Sequence, residues 1–355
     1  MHSDINVHVG TQYKYRSHSC IHPHSTNMSN IQSASNLRRI DVHHHLIPPG
    51  ISKVKISLEV GWTVPPDNIH WTPELSLKAM DALGIQTAIL STVVNLPVGP
   101  PGPENCQAAR EYNEYAAKVS QQYPDRFGFY GCLPDPKYTE GALEEIRYAL
   151  DHLHADGISM ASSYGDGADG VYVGDDSFTP IWEELNRREA IVFLHGQQTP
   201  SSTPYPGPFL GIPITEVPNE TFKAASHLVV TGKKRRYPKV KIILSHLGGS
   251  MPFIAPRVAV LSRHMGSPLT SEEILEDFKT FYFDTALSGY EAPLTLMKTF
   301  VDPSRLLYGS DFPAVSTEMV DWYNKHLEEF SAKSDGGNFD DTLLSNAKTL
   351  FPRFA

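Results

Sequence analysis

The chain has 355 residues, 40% hydrophobic and 20% charged, a globular mixture that can bury a large core and excludes disorder over most of its length. Thirty Lys plus Arg stand against 40 Asp plus Glu, and the formal net charge of -10 disfavours nucleic acid and anionic membranes as partners. The three cysteines, Cys20, Cys106 and Cys132, are scattered and never in a C-x-x-C spacing, and no stretch approaches the roughly 18 to 20 apolar residues of a membrane span or the apolar core of a signal peptide. A soluble cytosolic protein is the expectation.

Residues 1–36 are rich in Ser, Asn and His, with His2, His8, His18, His22 and His24 placed irregularly, and read as a flexible extension without the apolar pattern that would fix ligand geometry. From residue 37 to 355, strand-type runs alternate with helical stretches. The runs are Leu37 to Val42, Thr87 to Thr92, Phe127 to Cys132, Gly157 to Ala161, Ile191 to Leu194, Val240 to Ser245, Phe281 to Asp284 and Leu306 to Tyr308. Eight strands with room for a crossover helix between them predict a (β/α)8 TIM barrel of α/β class forming one catalytic domain.

Several connections carry helix signals. Thr72 serves as N-cap before Pro73 and Glu74, with Gly84 as the stop. A second helix places Ala109, Tyr112, Ala116 and Val119 on one stripe and ends at Pro124. Met80, Met160 and Tyr164 read as core or wall. The basic run Lys233 to Arg236 reads as a solvated C-terminal helix turn. Two long Pro-rich segments, "LIPPGISKVKISLEVGWTVPPDNIHW" and "QQTPSSTPYPGPFLGIPITEVPNE", follow the first and fifth strands and predict a roof over the site, with Trp62, Trp71, Tyr205 and Phe209 as candidates to line it.

The chemistry-bearing residues sit at strand ends. In "IDVHHH", strand alternation puts His43 and His45 on one side and His44 on the other. His195 closes "AIVFLH", His246 closes "VKIILSH" and Asp311 closes "LLYGSD". Any one strand-end His reads as a hydrogen-bonded structural residue. Their conjunction reads as a site for zinc or a similar divalent metal, because imidazole and carboxylate are its ligands and the ends of parallel strands are where such sites form. The fourth strand, "GISMASSYGDG", offers no Lys to bridge two ions, which favours one metal held by His43, His45, His195 and Asp311. His246 is then a candidate acid/base, or an alternative ligand, and Asp284 in "FYFDTA" either orients a His or is hydrogen-bonded locally.

The ordered set "IDVHHH", "PDRFGFYGCLP", the strand ending in His195, "SHLGG", "FYFDTA", "LLYGSDFP" and "NAKTLF" resembles the amidohydrolase superfamily, and within it the aminocarboxymuconate-semialdehyde decarboxylase family. The resemblance covers nearly everything after residue 36. It implies a (β/α)8 fold, a mononuclear zinc or manganese site with His43, His45, His195 and Asp311 as ligands, His246 beside the metal, and nonoxidative loss of carbon dioxide. Within the family the chain looks most similar to fungal 6-methylsalicylate decarboxylases, which release 3-methylphenol.

Three departures shape that expectation. Residues 46–86 lack the Arg that dicarboxylate-specific members carry there, favouring a monocarboxylate. Gly249 stands where dihydroxybenzoate decarboxylases have Glu, and Gly196 follows His195 where members often have Pro. The expected partner is a small aromatic monocarboxylate, with room for a homodimer. Asp311 or His246 would protonate the ring carbon that bears the carboxylate. A lactonase-like hydrolase using the same metal, or a decarboxylase of a muconate-type dicarboxylate, are the alternatives.

Overall fold

The computed structural model describes residues 39–355 apart from 94–96, 98, 166–169, 198–206, 208 and 335–337. The expected extension over 1–36 and the wall residue Tyr205 therefore lie outside the described residues. Eight parallel strands follow one another in order around a single sheet: β1 (Arg39–Leu46), β2 (Ile85–Thr92), β3 (Phe127–Cys132), β4 (Gly157–Ala161), β5 (Ile191–His195), β6 (Lys241–Leu244), β7 (Tyr282–Asp284) and β8 (Leu306–Leu307). Past the end of β8 the chain still bonds to β1: the Val42 N–H donates to Tyr308 O at 3.0 Å and the Asp311 N–H to His43 O at 2.8 Å, which closes the ring. This is the (β/α)8 barrel that the alternation of runs predicted.

Helices cover the outside. Pro73–Leu83 begins at the Thr72 cap, whose side chain accepts from the Leu75 N–H, and stops at Gly84 in the left-handed region at φ +68°. Pro103–Gln122 buries Ala109, Ala116 and Val119 as the stripe required, while Tyr112 is only half-buried. Its Asn113 does more than pack: the side-chain amide exchanges two hydrogen bonds with the backbone of Cys132 and anchors β3. Met80 and Met160 join the apolar layer between sheet and helices.

Inside the barrel, Ile40, Val42, Ile89, Tyr130, Phe193, Ile243 and Leu307 form a separate cluster with Ala347, Leu350 and Phe351 from the last helix, Phe339–Leu350, and its end. That helix plugs the amino-terminal mouth of the barrel. His45, His195 and Asp284 sit at the opposite end, at or next to the carboxyl ends of their strands.

Two expectations are corrected. Lys233–Arg236 is a short helix of its own, with Lys233 and Lys234 buried. Their stems are covered while the heads find partners: Lys233 Nζ lies 2.6 Å from Asp176, and Lys234 Nζ sits 5.3 Å from the Phe281 ring centroid. Arg235 reaches Glu273 and Asp277. The second roof segment is helical from Ile212, because Pro213 falls at the helix start, where a missing N–H costs nothing, and Val217, Ala224, Ala225 and Leu228 give one buried face through Val230. Among the described residues no helix is long and apolar enough to cross a membrane.

Candidate active site

Simple alternation along β1 would group His44 with Ile40 and Val42, yet His43 and His45 face the barrel interior. A register shift explains this. Asp41 pairs with Ala88 and His44 with Leu90, so three steps on β1 oppose two on β2. Across the bulge Val42 and His43 both turn inward: Val42 belongs to the inner cluster, and the His43 ring lies 4.8 Å from that of Phe193. His44 faces out against helix Pro73–Leu83, with Nδ1 2.9 Å from Asp41 Oδ2 and Nε2 2.8 Å from Ser76 Oγ. Asp41 in turn accepts from the Ser310 hydroxyl and N–H and from the His43 N–H, tying the bulge to the segment that carries Asp311.

His43, His45, His195 and Asp311, all buried, offer one donor atom each within 4.8 Å of one another. His43 Nε2 lies 3.2 Å from His45 Nε2 and 3.4 Å from Asp311 Oδ1, and His45 Nε2 is 3.0 Å from the same oxygen. The other ring nitrogens are spoken for. His43 Nδ1 donates to Asp284 Oδ2 at 3.0 Å, His45 Nδ1 faces Ser91 Oγ at 3.0 Å, and His195 Nδ1 donates to Gly196 O at 3.0 Å. That network assigns the proton to Nδ1 in each ring and leaves three Nε2 lone pairs converging with a carboxylate oxygen. Lone pairs this close repel unless a cation stands among them. The three spacings among His43, His45 and Asp311 are near the edges of about 3.3 Å expected for donors about 2.0 to 2.1 Å from a tetrahedral zinc, and the His195 donor lies within 4.8 Å of all three. The residues present therefore fit a divalent metal.

The electrostatics agree. Burial pushes the His43 imidazole down, but the carboxylates of Asp284 and Asp311 outweigh it and raise it to about 10. His45, His195 and His246 are lowered by burial and by the positive charge of His43. Asp311 is held well below the usual carboxylate range by His43 and His45 in spite of its burial. His43 Nε2 thus either takes a second proton or gives its lone pair to a cation, and both place positive charge beside Asp311. Asp284, wholly buried, also accepts from the His246 and Ala286 N–H groups at 3.1 and 3.0 Å, so it orients two histidines at once.

His246 is near the donors without joining the four. Its ring lies 4.9 Å from His43 and 5.3 Å from His195, and its Nδ1 donates to Ala286 O at 3.0 Å. Both His246 (φ +54°) and Asp311 (φ +61°) hold left-handed backbone conformations that L-residues rarely adopt.

These groups open onto a cavity of about 380 Å³ whose wall is mostly apolar, including Ile47, Ile56, Val60, Trp62, Val93, Leu287 and Val315. Trp62 is a wall residue as expected, fixed by a 3.0 Å bond from its Nε1 to Ala314 O. Trp71 is not; it is buried, donating to Ser76 Oγ. Phe209 is 95% exposed.

Sequence reasoning missed two features. The first is Lys53, at the start of the short helix Lys53–Glu59 in the first roof segment, which lines the cavity and whose ammonium burial pushes down to about 8. The second is a glycine clasp. A Cβ on Gly196 would sit 2.0 Å from Val217 O, and one on Gly249 would sit 2.1 Å from Pro218 O. Both positions therefore admit the first turns of helix Ile212–Val230, whose Pro213, Ile214, Val217 and Pro218 form one side of the cavity. The two departures seen in the sequence are one structural device, visible only once the helix is in place.

A (β/α)8 barrel with a three-histidine, one-aspartate donor set at the carboxyl ends of its strands defines the class of this protein. Residues 40–353 match the family described as Amidohydrolase, and the chain belongs to that family. It is 41% identical to decarboxylase macB of Penicillium terrestre over 339 residues, covering 90% of this chain and 96% of that protein. It is 37% identical to the 6-methylsalicylic acid decarboxylase acuB of Aspergillus aculeatus, covering 89% and 96%. Among solved structures, a dihydroxybenzoic acid decarboxylase from Polaromonas sp. JS666 with bound manganese and the inhibitor 2-nitroresorcinol shares the fold, with a TM-score of 0.74 at 21% identity and coverage of 89% and 97%.

Proposed function

We propose that the protein is a metal-dependent nonoxidative decarboxylase of a 2-hydroxybenzoate, converting 6-methylsalicylate to 3-methylphenol and carbon dioxide. The observation that carries this reading is the convergence of three Nε2 lone pairs and one carboxylate oxygen on the floor of an apolar cavity. The fungal relatives named as decarboxylases of 6-methylsalicylic acid support the substrate.

His43, His45, His195 and Asp311 would hold one divalent ion, zinc by its liking for imidazole and carboxylate, with manganese the alternative suggested by the Polaromonas structure. When bound, such an ion supplies Lewis-acid chelation of a carboxylate and its ortho hydroxyl. The chain supplies the rest. Val60, Trp62, Val217 and Leu287 enclose the ring and exclude water. Hydrogen bonds to Ala286 O and to the carboxylate of Asp284 hold His246 and His43 in fixed orientations. The proton that the substrate's ortho hydroxyl gives up passes by way of His246 Nε2 or Asp311 to the ring carbon that bears the carboxylate, and loss of carbon dioxide restores aromaticity.

The test is carbon dioxide release by metal-loaded protein across a panel of hydroxybenzoates, a muconate-type dicarboxylate and an aryl lactone. Turnover is expected for 6-methylsalicylate, with salicylate slower by about 10- to 200-fold, the range one methyl group commands in an apolar pocket. Consumption of the lactone without carbon dioxide release, or preference for the dicarboxylate, would overturn the reading.

A further inference from the structure

Lys53 is the one Lys or Arg among the described residues that line the cavity. Its side chain descends from the roof helix and is buried, with 6% exposure. The ammonium has three N–H groups and, among the described residues, two acceptors, Pro313 O and, at 3.4 Å, Asn68 O. Both are carbonyls. Asp311, on the cavity floor, attracts its charge, but burial outweighs that pull. A buried ammonium with no carboxylate in an ion pair is costly, and such a group is retained where an anion arrives to pair it. Anchoring the backbone does not require the charge, because Asn68 performs that task with a neutral amide: its Nδ2 donates to Pro313 O at 3.0 Å and to Val315 O at 2.8 Å.

We propose that Lys53 is the anion-binding residue of this cavity, donating its remaining N–H to the carboxylate of the aromatic substrate. The inference rests on the decarboxylase reading and deepens it. One ammonium in a wall otherwise free of Lys and Arg suits a ligand with a single carboxylate, and it occupies the segment in which the sequence offers no Arg. It also gives the apolar cavity a way to tell a hydroxybenzoate from the neutral phenol that remains once carbon dioxide has left, so product is released from a site that no longer has an anion to hold.

The experiment compares wild type, Lys53→Met, Lys53→Arg and Asn68→Ala, each metal-loaded, by titration with benzoate and separately with 3-methylphenol. Lys53→Met is expected to weaken benzoate binding about 10- to 100-fold while changing 3-methylphenol binding less than about 3-fold and leaving metal content intact. Lys53→Arg should restore most of the benzoate affinity. Asn68→Ala, which loosens the shared Pro313 carbonyl but keeps the ammonium, should bind benzoate nearly as wild type does. Equal weakening toward both probes, or equal weakening in Asn68→Ala, would show that Lys53 only anchors the loop and would overturn the proposal. So would a Lys53→Met variant that binds benzoate normally but loses an aromatic dicarboxylate. Failure of the decarboxylase reading shows separately, as wild type that binds benzoate through Lys53 yet releases no carbon dioxide from any hydroxybenzoate.

Discussion

Asp284→Asn is the sharpest probe of how the donor set is held. The amide oxygen can take the place of Oδ1 and keep the His246 and Ala286 N–H groups, at 3.1 and 3.0 Å, so the local fold has its acceptor. The amide nitrogen then stands where Oδ2 accepts from His43 Nδ1 at 3.0 Å, and two N–H groups face each other. His43 relieves the clash by moving its proton to Nε2, which removes one lone pair from the donor set. A lost second partner of a ligating histidine typically costs about 10- to 100-fold in metal affinity, and one hydrogen bond to a charged group is worth about 1.5 to 3 kcal/mol, so the two scales agree. The assay is competition for metal against a chromophoric chelator, with turnover measured at saturating metal. Affinity expected to fall by that factor and instead within about threefold of wild type, at unchanged rate, would mean that Asp284 serves only the backbone N–H groups. Alanine is the wrong control here, because it strands both of them.

Other outcomes follow from the same geometry. His246→Ala should keep one metal per chain while turnover falls about 10²- to 10⁴-fold, since His246 stands outside the four converging donors; a metal-free or fully active variant contradicts that role. Gly249→Ala puts a Cβ 2.1 Å from Pro218 O at φ +62°, so it should lower the melting temperature and, by displacing the Val217 and Pro218 wall, raise KM; an unchanged melting curve refutes the clasp. Burial raises Asp156 to about 6 against the pull of Arg353, so the folded state takes up a proton between about pH 6 and pH 4 that the unfolded chain does not. The contribution of Asp156 to stability therefore grows as pH falls through that window. Urea unfolding should show wild type gaining on Asp156→Asn by at most about 3 kcal/mol between pH 7 and pH 4, and a difference that is flat or moves the other way rejects the assignment.

What could be read from the sequence was local. The eight runs, the Thr72 cap and the Gly84 stop depend on neighbours a few residues apart, and the barrel has them where expected. The pairing of His43 with His45 and the reversal of His44 also follow from alternation, which is indifferent to the bulge just upstream. What stayed hidden was tertiary. Nothing near Lys53 in the chain says that its ammonium meets the carbonyl of Pro313, 260 residues away. The prolines at 213 and 218 suggested a loop because local propensity outweighs, on paper, an apolar face that matters only once the barrel is there to cover it. Lys233 and Lys234 misled for a related reason: charge suggests solvent until partners on other elements are known.

The most direct test of the central claim is the fate of 6-methylsalicylate with metal-loaded protein in deuterated water, followed by mass spectrometry and proton NMR of the organic product. Delivery of one proton by His246 or Asp311 to the carbon that loses carbon dioxide requires 3-methylphenol with a single deuterium at that position and one equivalent of carbon dioxide. Unchanged 6-methylsalicylate, alongside hydrolysis of a lactone by the same preparation, would contradict it.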